Sequence, residues 1–369
     1  MDIAIPSDRE IFTYMILNST DKRRRRRSGR LGPKISDVGV LAGVSVMTVS
    51  RVLNGGKVRA STRDKVLSAI TELGFVPNSD ARSLRSQGEA ISIGILYSRY
   101  SNRYLGQILY GCVSGAGLWG VKISPIFVHY DDEFTLSDEV FDDFDGVILV
   151  PPLGSDQKIC EMIDRSGCLA VVLGASCLDS FISIEIDAFA AAVDLTSHLL
   201  ALGHRRIGFI GCHRDHLDTE LKRNGFSSAL TRAGIVSERQ LIADDLMGYG
   251  SGFEVTEKFL QSASPPSAIV ASTDELAIAA LTAAHERGCD VPADLSVCGF
   301  GDVVDEGQFW PGLTTIRTPF FEMAQAAVEI LAEYSGGNRS VASTVKRKLF
   351  PHVLVRRQSD CAPRRRSHP

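Results

Sequence analysis

The stretch VSVMTVSRVLNG, residues 44–55, sets apolar and small residues around Thr48, Ser50, Arg51 and Asn54. Ser45 can cap a helix running from Val46 to Leu53, with Val49, Val52 and Leu53 on its inner face. Upstream, Ile35, Val38, Leu41 and Ala42 share one face of a first helix, which stops at Gly43, a residue free to take the left-handed conformation. Downstream, Ser61 followed by Asp64 forms a capping box for a third helix carrying Val66, Ile70 and Leu73 up to Gly74. Three helices within about 40 residues, with a glycine turn between the first two, predict a helix-turn-helix head over residues 33–76.

The charge distribution agrees with such a head. Residues 22–86 hold 15 Lys and Arg against 4 Asp and Glu, a balance of +11, whereas residues 87–355 hold 19 against 35, a balance of −16. A basic head on an acidic body points to a polyanionic partner for the head alone. Before it, residues 1–32 lack periodicity and end in DKRRRRRSGRLG, which reads as a disordered basic arm able to add phosphate contacts.

After the head, Pro77 breaks the third helix, Asn78 can cap a short new one, and Ala81, Leu84 and Arg85 give that helix a thin apolar face. Residues 77–90 therefore read as a hinge and linker. Beyond Ile91 the texture becomes alternating strands and helices: ISIGILY, VKISPIFV, DGVILV and AVVLG, then RIGFIG, SAIVAS and LSVCGF. Continuous apolar strands are buried on both faces, so the expected fold is multidomain: an all-α head and an α/β body of two doubly wound parallel-sheet subdomains over 91–355. A ligand cleft is expected at the carboxyl ends of the strands. Residues 356–369 read as a polar basic tail without leucine heptads.

Several function classes find no support. The eight cysteines show no CxxC pair and lie in apolar runs, as reduced core residues do. The apolar patch IFTYMILN is preceded by acids and followed by KRRRRR, the reverse of signal-peptide order, and no apolar run approaches the roughly 20 residues that span a bilayer. A cytoplasmic protein is expected, with no membrane contact. GAGLWG at 115–120 matches a dinucleotide fingerprint, yet it closes a helix instead of opening one after a strand. His213 and His216 lack companions for a metal set, and the basic residues of GHRRIG at 203–208 are expected in solvent. No GxSxG, HExxH or P-loop occurs, so neither an enzyme nor a cofactor is expected.

The segments KISDVGVLAGVSVMTVSRVLNGG, TRDKVLSAITELGFVPNSDARSLRS, HLLALGHRRIGFIG and DLSVCGFGDV, with WPGLTTIRTP beyond, closely resemble the lactose-repressor (LacI/GalR-type) family of bacterial regulators, from about Pro33 to Val355. The resemblance implies a homodimeric repressor of double-stranded operator DNA whose affinity changes when a small molecule enters the cleft. The competing reading is a sugar-binding α/β receptor with an accessory helical head. DNA or heparin retention that weakens steeply with salt separates the two.

In the repressor reading the second helix enters the major groove by its N-terminal end, so Val46 and Met47 come nearest the base edges. Arg51 can present its fork to guanine O6 and N7, while Thr48 and Ser50 hold phosphate oxygens. Asn54 and the hinge residues Asn78, Ala81, Leu84 and Arg85 complete the DNA-binding set. The family inserts the residue matching Leu84 into the minor groove as a wedge.

For the effector, relatives commonly clamp sugars or purines with an arginine three residues before a GF pair and with the first acid of a GFDD turn. Here those positions hold Lys222 and Gly301, the latter before Asp302. A planar fork has become a point charge and one carboxylate has gone. The other wall residues expected are Asn102, Tyr104, Met247, Thr273, Asp274, Glu275 and either Phe309 or Trp310 as a stacking face. The set suits a carbohydrate or glycoside, tilted toward an anionic one such as a uronate.

Overall fold

The computed structural model describes residues 35–44, 48–49, 52, 59–73, 90–99, 102–129, 138–212, 216–246, 248–303, 310–335 and 346–364. In the head, α1 spans Ile35–Ala42 and α2 spans Ala60–Leu73. Thr48, Val49 and Val52 are also helical. Val38, Ala42, Val49, Val52, Val66 and Ala69 form one buried cluster, with Val44, Ile70 and Leu73 packed against it. Gly43 ends α1 at φ +64°, and the Val44 N–H donates to the Gly39 carbonyl. Two details differ from expectation. Leu41 is largely exposed, because α1 buries only the narrow Val38–Ala42 row against its two neighbours. The helix α2 begins at Ala60, so Ser61 lies inside its first turn and the Arg59 carbonyl takes the first amides, from Thr62 and Arg63.

The body contains two six-stranded sheets. The first comprises β1 (Ser92–Tyr97), β2 (Lys122–Phe127), β3 (Gly146–Leu149), β4 (Leu169–Leu173), β5 (Ile182–Ile186) and β11 (Arg347–Phe350), in the order β11-β5-β4-β3-β1-β2 and parallel throughout. The second comprises β6 (Ile207–Cys212), β7 (Ile242–Leu246), β8 (Ala268–Ala271), β9 (Ser296–Gly301), β10 (Thr314–Arg317) and β12 (Val353–Val355), in the order β12-β10-β9-β8-β6-β7, with β12 alone antiparallel. Central strands such as β3 and β8 are buried along their whole length, as parallel strands covered on both faces must be.

Helices α3 (Asn102–Trp119), α4 (Gln157–Ser166) and α9 (Phe320–Ser335) cover the first sheet, while α5 (Ala188–Leu202), α6 (Leu217–Arg232), α7 (Tyr249–Gln261) and α8 (Asp274–Glu286) cover the second. The two lobes are therefore not consecutive in the chain, as the strand series alone implied. The chain leaves the first lobe after β5, returns after β10 to place α9 against α3, β3 and β4, and crosses again between β11 and β12. That return depends on glycine. A Cβ on Gly111 of α3 would lie 2.3 Å from the Phe321 carbonyl oxygen, and one on Gly115 would lie 3.0 Å from Val328 Cβ. Of the GAGLWG glycines, Gly115 thus serves helix contact and Gly120, at φ +65°, closes α3.

Residues 357–361 are not a solvated tail. Ser359 is fully buried, its hydroxyl donates to the Val297 carbonyl and accepts from Thr314 N–H, and the Val297 N–H donates to the Ser359 carbonyl. A polar segment can bury itself in this way because each polar group answers a backbone group of β9 or β10. GHRRIG also departs from expectation. His204 is buried, with Nδ1 2.8 Å from Ser267 Oγ and Nε2 2.8 Å from the Cys361 carbonyl. Burial pushes its pKa down, and the Cys361 carbonyl opposes this.

All eight cysteines are free. Among the described residues no helix is long and apolar enough to cross a membrane, and no group of three metal-ligating side chains occurs.

Candidate functional site

In the head, the burial of Val49 and Val52 commits one face of the second helix to the core and leaves Thr48 half-buried beside it. The side chains of Val46, Met47, Ser50, Arg51 and Asn54, and those of Asn78, Ala81, Leu84 and Arg85 in the hinge, lie outside the described residues.

The cleft side of the second lobe is built at the carboxyl ends of β6, β8 and β9. Lys222 projects from the second turn of α6, donates to the Ser272 carbonyl at 3.1 Å, and holds its ammonium 4.9 Å from the centroid of Phe300. The ends of β8 and β9 therefore meet one cation. Thr273 caps α8, its hydroxyl oxygen accepting from Leu276 N–H at 3.3 Å, and Glu275 follows, half-buried, in the first turn. Trp310 is 85% exposed, an unusual state for a tryptophan and one available for stacking.

Asp274 and Asp302 depart from their expected place on the cleft wall. Asp274 is 1% exposed, and its carboxylate accepts from Thr315 Oγ1 at 2.6 Å and from Val303 N–H at 3.0 Å. Burial raises its pKa, against the opposing effect of those two bonds. Asp302 takes two guanidinium groups, Arg317 Nε on one oxygen and Arg357 Nη2 on the other, each at 2.6 Å. Both carboxylates thus brace the turn after β9 from within.

That turn has an unusual backbone. Gly301 lies at φ +135° and Asp302 at φ +57°. The first value is one that side-chain-bearing residues rarely adopt, so an acid at 301 would not fit this conformation without strain. The two arginines hold Asp302 in its own left-handed state. Arg357 comes from the segment read as a tail, and no sequence signal tied it to residue 302.

On the first lobe, Tyr104 donates its hydroxyl to the Pro151 carbonyl at 2.7 Å and stacks on Phe320 with centroids 4.9 Å apart. It ties α3 to α9 and to the end of β3, so its role in the described structure is packing. Asn102 opens α3, but its side chain, Met247 and Phe309 lie outside the described residues. The lobes meet at the N-terminus of α6: Leu217 N–H donates to Ser155 Oγ at 3.2 Å and Ala175 N–H to Asp218 Oδ1 at 3.4 Å.

A helix-turn-helix head on a two-lobed body with three chain crossings, whose strand ends converge on a cleft, defines a ligand-responsive DNA-binding regulator. The comparisons agree in both modules. Residues 34–78 match the description "Bacterial regulatory proteins, lacI family", and residues 196–359 match "Periplasmic binding protein-like domain". Catabolite control protein A of Priestia megaterium is 31% identical over 332 residues, covering 88% of this chain and 98% of that one. The lactose operon repressor of Escherichia coli (strain K12) is 30% identical over 337 residues, covering 89% and 90% respectively. Among solved structures, the lac repressor dimer bound to operator and the anti-inducer ONPF superposes with a TM-score of 0.64 at 28% identity, over 90% of this chain and 100% of that one. The CelR–cellobiose complex does so with a TM-score of 0.65 at 26% identity, over 89% and 99%. The chain belongs to the lacI family of bacterial regulatory proteins.

Proposed function

We propose that the protein is a cytoplasmic repressor of carbohydrate-utilisation genes that binds a pseudo-palindromic operator as a homodimer and is tuned by a small molecule in the inter-lobe cleft. It carries out no catalysis in this reading. The observation that carries the reading is that one chain joins a core-packed helix-turn-helix to the two-lobed body, with relatives matching nearly end to end.

The domain roles are a basic arm (1–32), a head (33–76), a hinge (77–90) and an effector-binding body from 91 onward, to which the segment after Val355 adds its contacts with β9 and β10. Val46, Met47 and Arg51 read bases, Thr48, Ser50 and Asn54 hold phosphates, and the hinge places Asn78, Ala81, Leu84 and Arg85 at the minor groove. Tyr110, Val113 and Leu118 expose an apolar stripe along the outer face of α3. Such a stripe suits burial against a second copy.

For the effector we assign Lys222, Glu275 and Trp310 to the cleft wall, with Asn102, Thr273, Met247 and Phe309 beside them. Asp274 and Asp302 support the wall from behind. With residue 301 a glycine and both carboxylates engaged internally, Lys222 favours an acidic sugar over a neutral glycoside.

Selection of binding sites from random duplexes tests the first claim, and a recovered inverted repeat with one fixed guanine per half-site is the expected result. Thermal shift against neutral sugars, glycosides and sugar acids, run on wild type and Lys222→Ala, tests the second. A neutral glycoside that stabilises both proteins equally, with no acid doing so, overturns the charge argument.

A further inference from the structure

Two cysteines meet at the base of the loop through which the first lobe touches the second. Cys160 lies in the first turn of α4, fully buried, with its Sγ 3.5 Å from the Gly154 carbonyl oxygen and 3.7 Å from that of Leu153. Cys177 lies between β4 and β5, half-buried, and its N–H donates to the same Gly154 carbonyl at 2.9 Å. The two thiols are within hydrogen-bonding reach of each other, and Cys177 packs against the buried cluster that contains Cys160. Gly154 permits this convergence, because a Cβ there would lie 2.1 Å from Val172 Cγ1 and 3.1 Å from the Ala175 carbonyl oxygen.

The pair is chemically unequal. Burial, then the Cys177 thiol, then the carboxylates of Asp156 and Asp164 push the Cys160 pKa up, so that thiol keeps its proton. Cys177 reaches solvent and can meet a small oxidant, whereas Cys160 needs to meet only Cys177. The same segments carry the contact between the lobes. Ala175 N–H donates to Asp218 Oδ1 at 3.4 Å, and Gly174, at φ +109°, leaves room for Asp218 Oδ2, which a Cβ would approach to 3.0 Å. On the other side, Ser155 Oγ accepts from Leu217 N–H at 3.2 Å. Each cysteine thus shares a short segment with one of the two residues that hold the N-terminus of α6.

We propose that Cys160 and Cys177 are a peroxide-oxidised thiol pair whose reversible disulfide loosens the contact between the lobes. In the first step the Cys177 sulfur attacks hydrogen peroxide: an S–O bond forms, the O–O bond breaks, and the departing oxygen leaves as water with the thiol proton. In the second the Cys160 sulfur attacks the resulting sulfenic acid: the S–S bond forms, the S–O bond breaks, and the oxygen leaves as water with the Cys160 proton. The two thiols lose two electrons and one peroxide gains them; a dithiol reductant returns them. A disulfide holds its sulfurs about 2.0 Å apart, closer than two thiols in contact. Cys160 is held in a packed helix, so the loop gives way, carrying Cys177 toward α4 and Ala175 off Asp218.

Treatment of the reduced full-length protein with hydrogen peroxide, followed by alkylation, digestion and mass spectrometry, tests the chemistry. A linked Cys160–Cys177 peptide that dithiothreitol dissolves is expected. Cys160→Ala should leave Cys177 as a sulfenic acid that dimedone captures, and Cys177→Ser should leave Cys160 reduced. Hydrogen–deuterium exchange of the oxidised and reduced protein tests the consequence. The Ala175 amide should exchange about fivefold faster after oxidation, the loss of one hydrogen bond, and dithiothreitol should restore the slower rate. Peroxide that oxidises other cysteines while both of these stay open to alkylation overturns the proposal. So does oxidation of Cys160 at an undiminished rate in Cys177→Ser, and so does a disulfide that forms without changing exchange at Ala175.

Discussion

Replacing Asp274 by alanine separates a bracing residue from a ligand-binding one. Its carboxylate serves two donors on different elements, the Thr315 hydroxyl of β10 at 2.6 Å and the Val303 amide after β9 at 3.0 Å. Thr315 is itself buried, so its hydroxyl has no recourse to solvent. Each abandoned donor costs about 1–3 kcal/mol, and relief from desolvating a buried carboxylate returns part of that, giving a net loss of about 2–4 kcal/mol. For a unit of this size the loss corresponds to a fall in Tm of about 5–15 °C. Asp274→Asn keeps one acceptor oxygen and should lose about half as much. Thermal unfolding of the two variants, followed by circular dichroism with no ligand added, gives the comparison. An unchanged Tm in Asp274→Ala, together with loss of the response to a ligand that stabilises wild type, would refute the bracing role and return the residue to the cleft wall.

Three further outcomes are expected. Burial holds the His204 imidazole below its ordinary value of 6.5, so below that pH the unfolded chain binds a proton that the folded chain resists. Stability should therefore fall as pH drops through 6.5 toward the depressed value and be insensitive to this group above it; denaturant midpoints across that range, with His204→Gln showing a flatter profile, provide the check. Gly111→Ala should destabilise by about 1–3 kcal/mol, because its Cβ would sit 2.3 Å from the Phe321 carbonyl oxygen and force α3 away from α9; an unchanged midpoint would contradict that packing. Arg51→Ala should cost about 1–3 kcal/mol and relax preference at one guanine per half-site, whereas removing Arg23 to Arg27 should weaken binding to every sequence and flatten its salt dependence. Competition between duplexes differing at single positions distinguishes these two behaviours.

The elements legible in the sequence are those whose signal is local. Val49 and Val52 at helical spacing, Gly43 as a stop, and the apolar runs of β1, β3, β4, β6, β8 and β9 each carry their own pattern. What escaped the sequence depends on partners far along the chain. IADDL of β7 and ISIEI of β5 are too polar to read as strands, because β7 is an edge and Glu185 of β5 is matched by Arg347 of β11. The segment after Arg356 looks like solvent-facing tail until β9 and β10 supply its partners. The cleft is the least legible part: of the residues that the family resemblance put on its wall, Lys222 reaches the Ser272 carbonyl and Phe300, whereas Asp274 and Asp302 turn inward because Thr315, Arg317 and Arg357 are brought beneath them.

The central claim is that the chain is a dimeric, sequence-reading regulator, and the most direct test is the stoichiometry and salt dependence of its complex with a duplex recovered by selection. Fluorescence anisotropy combined with analytical ultracentrifugation should show two chains per inverted-repeat duplex. Affinity for it should exceed that for a scrambled duplex by about a thousandfold or more and fall steeply with log salt. A monomer that occupies one half-site with full affinity, or equal affinity for selected and scrambled duplexes, would contradict the account.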